Sequence, residues 1–582
     1  MRPPSLQHFY LEKPATLLIA ITILSVFLWI GYGDFYTKGE PREASVAVSM
    51  IENNQWILPE VYADEIAYKP PLMHWLTALF SLPEGKVTPL SSRFPSALAF
   101  LGLIVCSFMF FGRNLRMQEA FLTALILLTA FETHRAAMTA RVDMLLTFLI
   151  VLALTLLFRW EEEKKLTGFP WLIPVIMSLA VLTKGPVGMV LPLLVFSIYL
   201  LFLQYNFWQI AGKLIGLALP ALILPLFWYV SAYLKGGNEF LNMVLAENFG
   251  RFLGISNLNI SYDLGHESGW WYNWISLASG FIPWTLLLLI SLFGLSYKRF
   301  PGFRSLWKLF IQMEKIKLFS ALAAIIIVLF YSIPLSKRSV YLMPAFPFIS
   351  VFIAQYILYL TEYKTKILRV FAIFIGISAC LAGLVIFVTT HCTNSLFSVL
   401  SAMKNTAWLA QFSDIWRSAQ FPQLISEILL ILLFFSIFLL FNSFRKKLYL
   451  KTLYTVFGVY FILLLLMDGV IFPTYKNTIS VRPIAKIIAA RYPITNSNLF
   501  VMNKLSEYSN MYGLNFYLHN YFQNFEKESP AEGYFLTGIH SFEKVLQKYK
   551  TSYDFDLLEE FPNYSRDGER IIQLYFFKKK PV

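Results

Sequence analysis

Residues 15–31 read ATLLIAITILSVFLWIG, a run without a single charged side chain. A helix needs about 20 apolar residues to cross the hydrocarbon core of a bilayer. Similar runs recur along most of the chain, so this stretch sets the pattern of the whole fold. Lys13 precedes the run and no small-residue cleavage site follows it, which predicts a retained span rather than a removed signal peptide.

The composition favours a polytopic α-helical membrane protein. Hydrophobic residues make up 57% of the 582 residues and charged residues 14%, whereas a soluble domain is roughly half apolar and about a quarter charged. The net charge of +14 lies in short loops between apolar runs, which is a topology signal and argues against a nucleic-acid partner. Three cysteines are too few for a disulfide framework.

We predict about thirteen membrane spans from the apolar runs. They lie near residues 14–33, 91–112, 118–135, 141–159, 169–184, 186–203, 212–234, 270–296, 318–335, 339–361, 368–390, 423–443 and 452–472. One set of loops is short and basic (GRNLR, RWEEEKK, EYKTKILR, FRKKLYLK), which predicts the cytoplasmic side. The N-terminus is then cytoplasmic, and an odd number of spans places the C-terminus outside.

The predicted outer side carries the long segments. Loop 34–90 is the first of them, and residues 474–582 mix strand-like runs (NLFVMN, IIQLYFF) with a helix-like run (IHSFEKVLQKYK). We therefore predict a membrane domain over residues 1–473 and a small α/β extracytoplasmic domain over residues 474–582.

The first outer loop contains two predicted helices. Residues 33–50 read GDFYTKGEPREASVAVSM, in which Glu40 and Pro41 are typical of a helix start. Apolar residues follow at helical spacing, which predicts a helix lying along the membrane interface. The stretch YKPPLMHWLTALF, from Tyr68 onward, predicts a second interfacial helix.

Ionisable residues collect at the outer ends of the predicted spans and in the first outer loop. They are Glu40, Arg42, Glu43, Lys69, Asp143, Lys184, Lys337 and Arg338. A charge inside the end of a span is costly and usually marks function. Lysine and arginine bind phosphate oxygens most strongly where water is excluded. Carboxylates can orient or deprotonate a hydroxyl, or hold a divalent metal. The alternative is purely structural: helix caps, solvated ion pairs and lysines that anchor spans.

Five motifs in order resemble those of a known class. GEPREA, YKPPLMHW, ARVDMLLTF, LTKGPVG and SKRSVYLMPAFPF are similar to those of bacterial membrane glycosyltransferases of the GT-C class, in the broad family of lipid A aminoarabinose transferase and the protein O-mannosyltransferases. The resemblance implies a polyprenyl-phosphate sugar as donor and transfer at the outer face of the bacterial inner membrane.

The resemblance also implies roles for particular residues. Glu40 and Asp143 are the expected catalytic acids. The expected donor-phosphate ligands are Lys69, Lys184, Lys337, Arg42 and Arg338, and the expected substrate-binding residues are Glu43, Tyr68, Tyr341 and His266.

Two departures from the family pattern bear on these roles. The aminoarabinose transferases have Asp-Glu-x-Arg-Tyr where this chain has Gly39 to Glu43, so one acid is lost and the tyrosine has become acidic. They also have a glutamate, implied in metal binding, where this chain has Tyr68. Whether the protein binds a divalent metal therefore stays open, with His266 as one candidate ligand.

The resulting hypothesis is an inverting glycosyl transfer to an extracytoplasmic acceptor, either a lipid A-like glycolipid or another envelope glycan or protein. One alternative is a transporter or flippase of lipid-linked intermediates, which predicts ionisable groups near the bilayer midplane and inverted repeats. The other is a non-catalytic envelope scaffold. A cavity opening only on the outer face favours the enzyme, and a path to the cytoplasm favours transport.

Overall fold

The computed structural model describes residues 4–36, 39–250, 268–294, 303–391, 419, 421–502 and 511–581. Within these ranges seven helices are long and apolar enough to cross a membrane, or eight if a pair bent by 102° forms one broken span. The seven are Pro89–Asn114, Val142–Lys164, Phe207–Asn248, Ser339–Tyr363, Thr365–His391, Gln423–Arg445 and Tyr449–Thr478. The chain is a multi-span membrane protein, and the total of about thirteen spans stays a prediction.

The helices from the N-terminus to the last span run as follows: α1 (Pro4–Thr22), α2 (Gly39–Glu52), α3 (Leu72–Ser81), α4 (Pro89–Asn114), α5 (Met117–Thr129), α6 (Phe131–Ala137), α7 (Val142–Lys164), α8 (Leu172–Lys184), α9 (Val187–Phe202), α10 (Phe207–Leu245), α11 (Tyr272–Gly280), α12 (Trp284–Gly294), α13 (Phe303–Ile311), α14 (Lys315–Phe330), α15 (Phe346–Tyr363), α16 (Thr365–His391), α17 (Gln423–Arg445), α18 (Tyr449–Leu466) and α19 (Phe472–Thr478). An apolar helix lies at every predicted span position, and α2 and α3 lie in the first outer loop where two helices were predicted.

Local sequence explains two of the helix boundaries that shape the site. Thr88 caps α4, since its hydroxyl accepts from the Ser91 amide while the Ser91 hydroxyl accepts from the Thr88 amide. Gly185 follows α8 at φ +87°, a left-handed conformation that glycine adopts without strain. Pro186 comes next, so α8 ends at Lys184 and α9 starts in a new direction.

The centre of the membrane domain is α7. In its most apolar stretch 78% of the residues are buried inside the protein, against 22% for the long helix that includes α10. α7 packs against α4, α8 and α9. The N-terminal end of this central helix carries Asp143, which is buried, so the fold places that carboxylate amid protein rather than lipid.

A small sheet domain closes the chain. Its strands are β1 (Leu499–Val501), β2 (Gln523–Asn524), β3 (Glu532–Gly538), β4 (Tyr553–Pro562) and β5 (Ile571–Lys579), in the order β2-β1-β3-β5-β4. β1 pairs in parallel with β2 and β3, while β5 runs antiparallel to β3 and β4. The accompanying helices are α20 (Arg482–Arg491), α21 (Tyr512–Tyr517), α22 (Phe525–Glu528) and α23 (Ile539–Tyr549).

Each face of the sheet has its own apolar core, as period-2 alternation in the strands requires. Leu536 and Leu574 pack with Ile488 of α20 on one face. Phe535 and Phe577 pack with Val545 of α23 on the other. The predicted C-terminal domain with mixed strands and helices is confirmed in this coarse form, and its boundary at residue 474 stays a prediction.

The sheet domain docks on the first outer loop through α2. Asn520 donates to the carbonyl oxygen of Ser45 at 2.8 Å and to the hydroxyl of Ser49 at 3.0 Å. The Tyr512 hydroxyl donates to Glu65 Oε2 at 2.5 Å. Protein from the sheet domain therefore covers part of α2, the helix that the sequence predicted to lie along the membrane interface.

We predict that Tyr512→Phe loosens this docking. The variant keeps the ring but removes the donor to a buried carboxylate, a contribution of about 1.5–3 kcal/mol. Backbone amides of α2 then exchange faster with deuterium by mass spectrometry, while those of α7 keep their rates. Tyr564→Phe changes an exposed tyrosine in the same domain and serves as the control. Equal protection of α2 in both variants would show that this hydrogen bond does not hold the domain.

Candidate active site

A cleft opens between α2, α3 and the segment that joins them. We name it the loop cleft. It has about 290 Å³ of empty volume, open to solvent, and its lining residues are Arg42, Glu43, Val46, Val61, Glu65, Ile66, Ala67, Tyr68, Lys69 and His74. Four of the predicted site residues, Arg42, Glu43, Tyr68 and Lys69, therefore share one cavity.

Glu43 lies at the centre of the charges in the loop cleft. Its Oε1 pairs with the Lys69 ammonium, and its Oε2 lies 2.8 Å from His74 Nε2. His74 is buried, with 2% of its side chain exposed, whereas Lys69 is 31% exposed. Burial opposes ionisation of Glu43, but Lys69 and His74 outweigh it and hold the pKa of Glu43 well below its ordinary value. The cleft thus holds an ionised carboxylate beside a reachable ammonium.

Arg42 points to the other wall of the loop cleft. It forms an ion pair with Glu65, which also accepts the hydrogen bond from Tyr512. The Arg42 guanidinium lies 5.5 Å from the centre of the Tyr512 ring. The sheet domain therefore contributes a side chain to the support of this cation.

A second group of charges, which we name the Asp143 cluster, forms where α7 begins and α8 ends. Asp143 lies in the first turn of α7 and Lys184 in the last turn of α8, and the two form an ion pair. A carboxylate is favoured at a helix N-terminus and a cation at a C-terminus. Arg141 Nε lies 3.9 Å from Asp143 Oδ2, and Lys184 Nζ lies 4.0 Å from the centre of the Tyr341 ring.

An apolar group links the loop cleft to the Asp143 cluster. Tyr68 packs with Leu182 and Trp228. Tyr68 is next to Lys69 in the chain, and Leu182 is two residues before Lys184. The Tyr68 hydroxyl also donates to Glu247 at 3.4 Å. The two charged groups therefore flank one shared wall of aromatic and aliphatic side chains.

Glu40 does not line the loop cleft. It is buried, and both of its oxygens accept from Arg93, at 2.7 and 3.2 Å. The Ala140 amide donates to Glu40 Oε1 at 3.1 Å. Because Arg93 also donates to the carbonyl oxygens of Ile30 and Gly33, the Glu40–Arg93 pair joins α2 and α4 to the segment between α1 and α2 and to the loop before α7.

The remaining predicted site residues lie apart from the loop cleft. Lys337 is buried and donates to the carbonyl oxygens of Pro334 and Ser268, at 2.7 and 3.0 Å. Its neighbour Arg338 acts electrostatically on Asp143. His266 lies outside the described residues.

Several buried polar residues near the site were missed by the sequence analysis. They are Arg93, His74, Glu65, Glu132 with its partners Ser339 and Arg135, and the pair His134–Asp468 at 2.6 Å. Arg93 is a cation at the start of an apolar run, and such a cation usually needs a partner inside the protein, so this one could have been found. His74, Glu65 and the pair His134–Asp468 carry no local signal because their partners lie far away in sequence. Glu132 and Arg135 are three residues apart on one helix, so this ion pair could also have been found.

No group of three or more His, Cys, Asp or Glu side chains able to hold a metal ion occurs in the part of the chain that the structure describes. In the loop cleft, Glu43 already has Lys69 and His74 as partners, which do not form a metal-binding set. The two cations of the cleft are each paired with a carboxylate, Arg42 with Glu65 and Lys69 with Glu43.

The fold is that of a solved membrane glycosyltransferase. The crystal structure of ArnT from Cupriavidus metallidurans bound to undecaprenyl phosphate superposes with a TM-score of 0.66 at 18% identity, over 96% of this chain and 97% of that chain. Residues 68–230 match the family described as Dolichyl-phosphate-mannose-protein mannosyltransferase. The predicted resemblance to the GT-C class is confirmed.

Curated relatives give the particular similarities. An uncharacterised protein of Aquifex aeolicus is 30% identical over 346 residues, which cover 59% of this chain and 63% of that protein. The undecaprenyl phosphate-alpha-4-amino-4-deoxy-L-arabinose arabinosyl transferase of Shewanella sediminis is 24% identical over 358 residues, which cover 60% of each protein. The chain thus matches less than two thirds of the length of each of these relatives, 63% of the first and 60% of the second.

We predict that Glu40→Ala lowers the thermal unfolding midpoint in detergent, since it leaves the Arg93 cation buried without its carboxylate, at a cost of about 3–5 kcal/mol. Glu84→Ala, at an exposed residue of the same loop, leaves the midpoint unchanged.

Burial opposes the charge on Glu40, but Arg93 outweighs it and holds the pKa of Glu40 below its ordinary 4.5. This stabilisation is therefore complete above about pH 4.5 and is lost as the pH falls through the lowered pKa. The difference in unfolding midpoint between wild type and Glu40→Ala therefore narrows as the pH falls. A difference that widens on acidification would contradict the assignment.

Proposed function

We propose that the protein transfers a sugar from a polyprenyl-phosphate donor to an extracytoplasmic acceptor, as an inverting glycosyltransferase of the inner membrane. The observation that carries the proposal is that two partly exposed cations, Lys69 and Arg42, line one cleft. The fold shared with an ArnT whose crystal structure contains undecaprenyl phosphate supports the same ligand class.

Lys69 and Arg42 are proposed to bind the donor phosphate in the loop cleft. Both side chains are about one-third exposed, at 31% and 32%, so both can reach a ligand without leaving the protein. A phosphate held between them makes charge-assisted hydrogen bonds in a partly desolvated site. The α2–α3 segment thereby sets the depth at which the lipid headgroup lies.

The Asp143 cluster is proposed to serve the acceptor and the departing phosphate. In the reaction, the acceptor oxygen forms a bond to the anomeric carbon while the bond from that carbon to the phosphate oxygen breaks. The polyprenyl phosphate leaves with the electron pair, and Lys184 together with Lys69 and Arg42 stabilises its charge, a type of stabilisation that is often the largest catalytic term. If the acceptor is a hydroxyl, Asp143 accepts its proton; if it is a phosphate, no base is needed.

The geometry favours a positioning role for Glu40 over the catalytic role predicted from the sequence. Its carboxylate is occupied by Arg93 and the Ala140 amide, so it holds the chain three residues before Asp143. Lys337 is proposed to fix the loop that carries Arg338 and Tyr341, since its ammonium is bound to backbone carbonyls. The sheet domain is proposed to lie outside the membrane, covering the first loop and shaping acceptor choice.

For the donor and acceptor, the curated relatives suggest the first compounds to test. Their names specify undecaprenyl phosphate 4-amino-4-deoxy-L-arabinose, so this donor with lipid A as acceptor is the starting assay. Mass spectrometry of envelope lipids and glycoproteins from a deletion strain identifies the acceptor if lipid A is not modified.

We predict that Lys69→Ala lowers the rate of transfer from the radiolabelled undecaprenyl-phosphate sugar in membranes by about 10²–10³-fold, the usual loss when one stabilising group is removed from a developing charge. Lys86→Ala removes an exposed lysine from the same loop and keeps the full rate. Lys86→Ala unfolds at the wild-type temperature, and the rate of each variant is expressed per amount of folded protein because Lys69→Ala leaves Glu43 without its ammonium partner.

Full transfer activity in Lys69→Ala would exclude the phosphate role of this residue. Failure of the wild type to transfer any label, from this donor and from other undecaprenyl-phosphate sugars, would exclude the proposed function altogether.

A further inference from the structure

The loop cleft already holds an anion where the donor phosphate is proposed to bind. That anion is Glu43, whose Oε1 is paired with the Lys69 ammonium. A carboxylate and a phosphate oxygen are both acceptors for the same ammonium protons, and one ammonium with a buried stem has few directions in which to offer them.

We propose that Glu43 competes with the donor phosphate for Lys69. The Glu43 carboxylate stays paired with the Lys69 ammonium until a lipid-linked phosphate displaces it. The proposal rests on the function proposed above, and it names the resting partner of the phosphate-binding lysine. Glu43 then regulates both the binding of the donor and the release of the polyprenyl phosphate product by competing for Lys69.

His74 makes the exchange feasible. Its Nε2 holds Glu43 Oε2 at 2.8 Å, and the imidazole is buried with 2% exposure. When a phosphate takes Lys69, Glu43 keeps this hydrogen bond and is not left as an unpaired charge in a buried place, which would be costly. The two carboxylate oxygens thus have separate partners, one fixed and one exchangeable.

The exchangeable partner is also the exposed one. Glu43 is 12% exposed and Lys69 is 31% exposed, so an incoming ligand approaches the pair from the side of the ammonium. Undecaprenyl phosphate is a monoester and carries nearly two negative charges near neutral pH, whereas the carboxylate and the phosphodiester donor carry one each, and Arg42 lies close enough to act electrostatically on Lys69. The cleft therefore favours the more highly charged anion once it arrives.

The test is binding of undecaprenyl phosphate to purified protein in detergent, measured for wild type and Glu43→Gln. The variant keeps the size of the side chain and removes its charge, so Lys69 is no longer neutralised. We expect undecaprenyl phosphate to bind roughly tenfold more tightly, because a hydrogen bond to a charged group no longer has to be exchanged.

The matched control is Glu60→Gln, which removes one negative charge from an exposed position in the same loop and leaves the dissociation constant unchanged. The effect of Glu43→Gln must also disappear in a Lys69→Ala background, since the ammonium for which the carboxylate and the phosphate compete is then absent. Unchanged or weaker binding in Glu43→Gln alone would overturn the proposal. If Glu43→Gln does not fold, Glu43→Asp is used, because its shorter side chain cannot hold Lys69 and His74 together and binding again tightens.

The outcomes separate this inference from the proposed function. If Lys69→Ala weakens binding of undecaprenyl phosphate and Glu43→Gln does not strengthen it, only the competitor role fails. If neither substitution changes the dissociation constant, the phosphate site itself is elsewhere and the proposed function loses its main support.

Discussion

The buried pair between Glu40 and Arg93 is the interaction on which the site depends. One guanidinium binds the carboxylate of α2 and backbone carbonyls in the segment between α1 and α2, and the carboxylate in turn binds the Ala140 amide ahead of α7. A buried cation without a partner is strongly unfavourable, so these four segments adopt the arrangement that satisfies it. The loop cleft and the Asp143 cluster are both built on this frame, the first through α2 and the second through α7.

Charge in this protein is placed at helix ends and paired across elements. Asp143 and Lys184 meet because α7 begins where α8 ends, and Glu43 meets Lys69 because α2 and α3 are held side by side. Arg42 and Lys69 are each about one-third exposed, and each is paired with a carboxylate of the loop cleft. Such a site suits a headgroup that arrives from the membrane with its own negative charge, since the lipid tail brings it to the right depth.

The apolar runs predicted the positions of the membrane helices because lipid requires every span to satisfy its own backbone. The mixed pattern near the C-terminus predicted the sheet domain, and LTKGPVG predicted the break after Lys184. The sequence did not predict what each charge touches. Glu40 and Arg93 are 53 residues apart, and Glu65 and Tyr512 are 447 apart. Such pairings follow from tertiary packing, so the sequence did not show that Arg93 binds Glu40 or that His74 lies against Glu43. The roles of the site residues and the span count stay predictions.

The most direct measurement of the central claim is an experimental structure of the protein with undecaprenyl phosphate bound, determined by electron cryo-microscopy in a lipid nanodisc. The account predicts a phosphate oxygen about 3 Å from Lys69 Nζ, the hydrogen-bond distance, with the Glu43 carboxylate turned away from Lys69 and still bound to His74. A phosphate seated elsewhere, with the Glu43–Lys69 pair intact, would contradict it.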